Sequence, residues 1–293
     1  MKLRLRVFCK KEDYLSISSI NRIRISFTSY VINALMKNFE IIGDILFLDI
    51  ETVSEKSEFS NLSLEKQALW IKKANQIEKD FRPEELYKEK AGIYAEFGKI
   101  VAIALGYLVP NNEGRLCLRI KAFYHKEEKL LLKEFLTLMK KFNHRINYLC
   151  AHNGKEFDFP YLCRSLLVHS LSLPSLLDMS GKKPWEVCHL DTLELWKFGD
   201  RKSYTSLELL TQLFDIPSSK EDIDGSQVGK VFYQDDDLDR IAHYCRKDVL
   251  ATVQVYLKLT LSRLFFCQAL RGKDPVFLAP VLSWRGNLPL LLE

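Results

Sequence analysis

No two of the seven cysteines stand in a C-x-x-C pair; they fall at positions 9, 117, 150, 163, 188, 245 and 267. An odd count at scattered spacing excludes a zinc ribbon and a disulfide framework, and fits reduced thiols of a cytoplasmic protein. No apolar run approaches the roughly 18 residues of a membrane-spanning helix, so no membrane partner is expected. The first 35 residues lack the apolar core of a secretory signal, although their acid-poor, Arg- and Ser-bearing texture has some of the composition of a transit peptide. Internal repeats and low-complexity blocks are missing as well. What remains is a globular chain of 293 residues, ample for one buried core.

The net charge of +5 is unevenly placed. Segments 1–40 and 258–293 hold thirteen lysines and arginines against five acids, so the span between them is left near −3. A basic total is therefore no sign of a nucleic-acid groove, while a mildly acidic centre suits a cluster of metal-binding acids. Both ends also lack a clear hydrophobic period. Residues 1–40 read as an extension, disordered or preceding a native start at Met36; 41–259 read as the folded domain and 260–293 as a second extension.

Three short acidic motifs dominate that domain. Asp49-Ile50-Glu51-Thr52 follows the apolar run Ile45-Leu46-Phe47-Leu48, which reads as a buried strand. Residues two apart on a strand share a face, so Asp49 and Glu51 can approach one cation together. Burying two anions side by side is otherwise unfavourable. Asp158 ends the second motif, Asn153 to Phe157-Asp158, and Asp248 ends the third, Tyr244-Cys245-Arg246-Lys247-Asp248. Singly, each acid has an ordinary reading as turn, helix cap or exposed position. The ordered set is what points to chemistry. Apolar residues from Leu238 to Lys258 are spaced for one long helix, on which Tyr244 and Asp248 stand about 40° apart. His243 lies about 140° from Asp248 on the same helix.

The set resembles the DEDD (DnaQ-like) superfamily of 3'-5' exonucleases, in the branch whose last motif is Y-x-x-x-D, and within it stand-alone exonucleases related to the proofreading domain of family B DNA polymerases. Asp49 and Glu51 match its D-x-E, Asp158 its N-x-x-x-F-D and Asp248 its last Asp; His189-Leu190-Asp191-Thr192 and Asp224-Gly225-Ser226-Gln227-Val228 add to the likeness. The resemblance implies an α/β, ribonuclease H-like fold with a mixed five-stranded sheet flanked by helices. It implies a metal-dependent 3'-5' exonuclease that binds single-stranded DNA 3' ends, with two Mg2+ or Mn2+ ions. Asp49 would bridge both ions, Glu51 and Asp248 would serve the ion that activates water, and Asp158 would reach the other. Tyr244 would orient the attacking water, since a phenol with pKa near 10 is a poor neutral-pH base. Hard oxygen donors suit Mg2+ or Mn2+ better than zinc.

Three neighbours are candidate substrate contacts with equally plain alternatives. Thr52 would touch the terminal nucleotide or is a strand-end threonine; Asn153 would bond phosphate or sugar or makes a turn with Gly154; Phe157 would wedge beside a base or packs in the core. His189 and Asp191 read as a pair that buttresses the fold. Along the chain, a hairpin is expected from Lys99–Tyr107 and Leu116–Phe123 around 110–114, then a helix from Lys129 to Phe142 and a strand from Asn147 to Ala151. A further helix, Leu64 to Lys79, is either a rim element or simply packed on the domain. Complete carboxylates favour an active nuclease over a silent nucleic-acid-binding module on the same fold, and an exoribonuclease is the alternative within the enzyme class. Protein partners are not readable.

Overall fold

Alternating burial along the first strand decides how the domain is layered. The computed structural model describes residues 42–110, 116–142, 146–200, 204–217, 222–269 and 290–292. In β1 (Ile45–Ser54), Ile45, Phe47 and Val53 join one apolar cluster, while Leu46, Leu48 and Ile50 join another. Such a strand is buried on both faces and sits mid-sheet. β1 pairs antiparallel with β2 (Gly98–Pro110), and β2 antiparallel with β3 (Leu116–Tyr124). This is the expected hairpin, though its turn at 111–115 lies outside the described residues. On the other side of β1, β4 (Tyr148–Ala151) runs parallel to it, and β5 (Leu190–Asp191) runs parallel to β4.

These strands form the mixed five-stranded sheet of the α/β fold anticipated from the sequence. A short sixth strand, β6 (Leu290–Leu292), joins the β3 edge in parallel. The C-terminal stretch, which has no readable period, thus reaches the sheet; residues 270–289 lie outside the described residues, as does the N-terminal extension. The helices of six residues or more are α1 (Leu64–Ile77), α2 (Pro83–Lys90), α3 (Glu128–Lys141), α4 (Asp158–Val168), α5 (Thr192–Lys197), α6 (Leu207–Leu213) and α7 (Leu238–Ala269). α3 and α4 cover one face of the sheet through Leu131, Phe135, Phe159 and Leu162. α7 covers the opposite face through Ile241, Val249, Val253 and Tyr256, and it runs past the boundary at 259. Among the described residues, no helix is long and apolar enough to cross a membrane.

Two features refine the expectation from sequence. Asp49 and Glu51 sit inside β1 and not at its mouth, because Thr52, Val53 and Ser54 go on pairing with Ile100, Lys99 and Gly98 after a register shift between Glu51 and Thr52. The segment after β1 is packed on the domain. Trp70 is fully buried, its ring meets Tyr87 and Phe97 edge-on at 5.4 and 5.0 Å, and its indole N–H donates to the Pro83 carbonyl at 2.7 Å. Aromatic edge contacts of this kind add to area burial and give the insertion a small core of its own.

Gly106 lets α7 seat closely on β2. A Cβ there would stand 2.7 Å from Val249 Cγ1, too close for real atoms. Gly106→Ala is expected to lower stability by about 1–3 kcal/mol through overpacking. Val249→Ala in the same chain should return part of the loss, giving a favourable coupling of about 1 kcal/mol in a double-mutant denaturation cycle. Strictly additive losses would mean that this contact does not seat the helix.

Candidate active site

β1, α4 and α7 each bring acids to one place. Asp49 and Glu51 alternate with Ile50 and therefore lie on the sheet face covered by α7, the face on which Phe47 meets Tyr256 of that helix. On α7, Tyr244, Cys245 and Asp248 are buried, whereas His243 is exposed. The helix is continuous through these residues, and the Tyr244 hydroxyl is hydrogen-bonded to Asp248. Four-residue spacing on one helical face accounts for that pairing. Asp158 is the first residue of α4, and its Oδ1 accepts the Ile50 backbone N–H at 3.1 Å. A carboxylate in the first turn is favoured by the helix dipole. That bond ties the second motif to the first across the chain.

A tight subgroup lies at the centre. One ligand atom each of Asp49, Glu51 and Cys245 fall within 4.8 Å of one another. The Cys245 thiol donates to Asp49 Oδ2 at 3.2 Å and approaches the Asp49 carbonyl at 3.4 Å. Asp49 and Glu51, side by side on one face of β1, repel each other when both are ionised. Asp158 and Asp248 stand outside this subgroup, yet their charges reach Asp49 and Glu51.

Electrostatics follow from this crowding. Burial pushes both Asp49 and Glu51 well above the carboxylate range. Glu51, Asp248 and Asp158 add to the rise at Asp49, and Asp248 and Asp158 to the rise at Glu51. Asp158 is pushed up to about 7 by burial first, with Asp191 and Asp248 adding to it against the opposing Ile50 N–H. Burial, with Asp248 and Glu51 nearby, likewise drives the Tyr244 phenol upward, and burial with Asp49 drives up the Cys245 thiol. Buried acids that resist ionisation together are a fitting cage for divalent cations, which relieve the repulsion and accept hard oxygen donors. Asp49, Glu51, Asp158 and Asp248 fit that role chemically.

The remaining candidates are located differently. Thr52 is partly buried just beyond the register shift, and alternation turns it toward the α3/α4 face, away from Asp49 and Glu51. Asn153 adopts a left-handed φ of 62° and its N–H donates to Asp191 Oδ1 at 2.9 Å. Phe157 is partly buried, its ring 5.6 Å from that of Tyr161. The loop carrying them is shaped by Asp191, which also accepts from Lys155 N at 3.1 Å and Leu193 N at 2.9 Å. Gly154 has no space for a Cβ, which would lie 2.3 Å from that of Ala151. His189 accepts from Leu149 N at 3.4 Å, and burial lowers its pKa to about 4. His189 and Asp191 are thus fold-supporting residues, as the sequence suggested. Sequence reasoning passed over Cys245, although its spacing of three residues from Asp248 already put it on the neighbouring face of the helix.

A family model described as "Predicted 3'-5' exonuclease related to the exonuclease domain of PolB" matches residues 93–269. That span contains Asn153, Asp158, Tyr244 and Asp248, while Asp49 and Glu51 lie upstream of it. Among solved structures, the family B DNA polymerase from the hyperthermophilic archaeon Pyrobaculum calidifontis is similar at 14% identity with a TM-score of 0.47. The match covers 77% of this chain and 25% of the polymerase, so this chain spans about a quarter of that protein's length. Among curated proteins, none matches.

The raised Asp158 pKa has a sign that can be measured. A carboxyl whose folded pKa exceeds its unfolded value destabilises the fold as pH rises between the two, here from about 4 to about 7. Asp158→Asn keeps an acceptor for Ile50 N–H and removes the charge. In chelator it should melt like the parent at pH 4 and gain on the order of 4 kcal/mol by pH 8, a rise of roughly ten degrees. A pH-independent difference would show that the fold does not raise the Asp158 pKa.

Proposed function

This chain belongs to the family of predicted 3'-5' exonucleases related to the exonuclease domain of PolB, and from that premise we propose that it is a metal-dependent enzyme that shortens single-stranded DNA from its 3' end. The observation that carries this reading is the convergence of Asp49 and Glu51 from β1, Asp158 from α4 and Asp248 from α7 on one largely buried, mutually repelling group. Two of the four acids lie outside the family match, so their approach to the third motif is an independent support.

Asp49, Glu51, Asp158 and Asp248 would hold Mg2+ or Mn2+, two ions in all. Such ions, when bound, supply Lewis acidity for water activation and charge compensation for the leaving oxygen. The residues themselves do the rest. Tyr244, fixed by its bond to Asp248 and too weakly acidic to serve as a base, positions the attacking water. The Asn153–Phe157 loop, shaped by Asp191, presents the Asn153 amide for a phosphate or sugar and the Phe157 ring for a base, and Thr52 contributes a backbone contact beside Glu51. His243, exposed on the far side of α7, has no part in it.

Degradation of end-labelled oligonucleotides tests the reading. Purified protein should release mononucleotides from free 3' ends only with Mg2+ or Mn2+, faster from DNA than from RNA of the same sequence. Asp49→Ala and Asp248→Ala should each lose at least about a hundredfold in kcat, since either leaves the cation cage incomplete. Tyr244→Phe should lose about tenfold or more through misplaced water, and His243→Ala less than about twofold. Activity that survives EDTA, or that His243→Ala abolishes while Tyr244→Phe spares, would overturn the mechanism; faster loss of RNA would move the substrate to that class.

A further inference from the structure

The Cys245 thiol has no place in the chemistry above, yet it is fully buried and makes its closest polar contacts with a catalytic-site acid. Its Sγ lies 3.2 Å from Asp49 Oδ2 and 3.4 Å from the Asp49 carbonyl oxygen. On its other side Glu51 offers a carboxylate oxygen within 4.8 Å. The carboxyl group of Asp49 therefore lies between two neighbours, one on its own strand and one on α7. A carboxylate has about four lone-pair directions, so one donated bond leaves the others for cations. Sulfur is a weak donor and a soft ligand, poorly matched to Mg2+ or Mn2+, so its use here lies in holding an oxygen ligand.

We propose that Cys245 is a positioning residue, whose S–H···Oδ2 bond fixes the Asp49 carboxylate in the orientation that receives divalent cations. The inference rests on the reading of Asp49 as a cation ligand. Apolar contacts between helix and strand, such as Phe47 against Tyr256, do not set a carboxylate's rotation. Holding a ligand through an outer hydrogen bond commonly matters about 10–100-fold in metal affinity or activity.

The test has one arm that needs neither metal nor turnover. Cysteine S–H stretching gives an isolated infrared band, and the difference between wild type and Cys245→Ser isolates the band of Cys245. It should sit at a hydrogen-bonded frequency and shift in Asp49→Ala, where only the Asp49 backbone carbonyl at 3.4 Å remains to accept. A second arm reads Mn2+ binding by the electron paramagnetic resonance of the free ion. Cys245→Ala should weaken binding about tenfold and lower kcat in proportion with little change in KM for the oligonucleotide. Cys245→Ser, which keeps a donor, should stay within about twofold of wild type. An S–H band indifferent to Asp49→Ala overturns the proposal, as does a Cys245→Ala protein that binds Mn2+ like wild type. Equal loss in the Ser and Ala variants would assign the effect to packing volume and overturn it too. Wild type that binds no Mn2+ would instead overturn the metal reading of the site, and the positioning role with it, even with the S–H···Oδ2 bond intact.

Discussion

Four carboxyl groups confined beside one another in a largely dry space constrain everything around them. Their repulsion is answered locally by the Ile50 N–H on Asp158, by the Cys245 thiol on Asp49 and by the Tyr244 hydroxyl on Asp248. None of these supplies a full positive charge. A fold that spends stability to gather anions in this way is understandable when cations complete it, because a ligand that binds only the folded state returns the free energy. The same crowding explains why three different elements contribute: no single strand or helix presents so many acids to one point at tolerable cost.

The sheet is the instrument of that confinement. Mid-sheet placement of β1 puts Asp49 and Glu51 under α7, and continued pairing beyond Glu51, across the register shift, holds the strand in the sheet where a loop would let the acids separate. Gly106 allows the helix close enough for Cys245 to touch Asp49. On the opposite face α4 starts at Asp158, so the helix terminus and the strand backbone share one carboxylate. The insertion between β1 and β2 packs around Trp70, and just past the strand's far end its Tyr87 hydroxyl accepts the Lys56 N–H at 3.1 Å.

What could be read from the sequence was what local periodicity encodes. The two-residue spacing of Asp49 and Glu51 and the four-residue spacing of Tyr244 and Asp248 carried over because strand and helix geometry leave little choice. The hairpin and α3 were readable from alternation and helical period for the same reason. Non-local features were not. Strand β5 has two residues and is defined by its neighbour β4; β6 exists only through pairing with β3. Trp70 looked like one apolar position on a solvated helix, and its burial depends on Tyr87 and Phe97, which are distant in sequence. Cys245 was judged against cysteine pair motifs, a test blind to a thiol whose partner is a carboxylate 196 residues away.

The central claim is that these four acids form one cation site, and anomalous X-ray scattering from crystals grown with Mn2+ addresses it most directly. Manganese density within ligand distance of Asp49 and Glu51, flanked by Asp158 and Asp248, and lost in Asp49→Asn crystals, is the result the account predicts. Manganese bound elsewhere on the chain, or no manganese beside Asp49 under conditions that support nuclease activity, would contradict it.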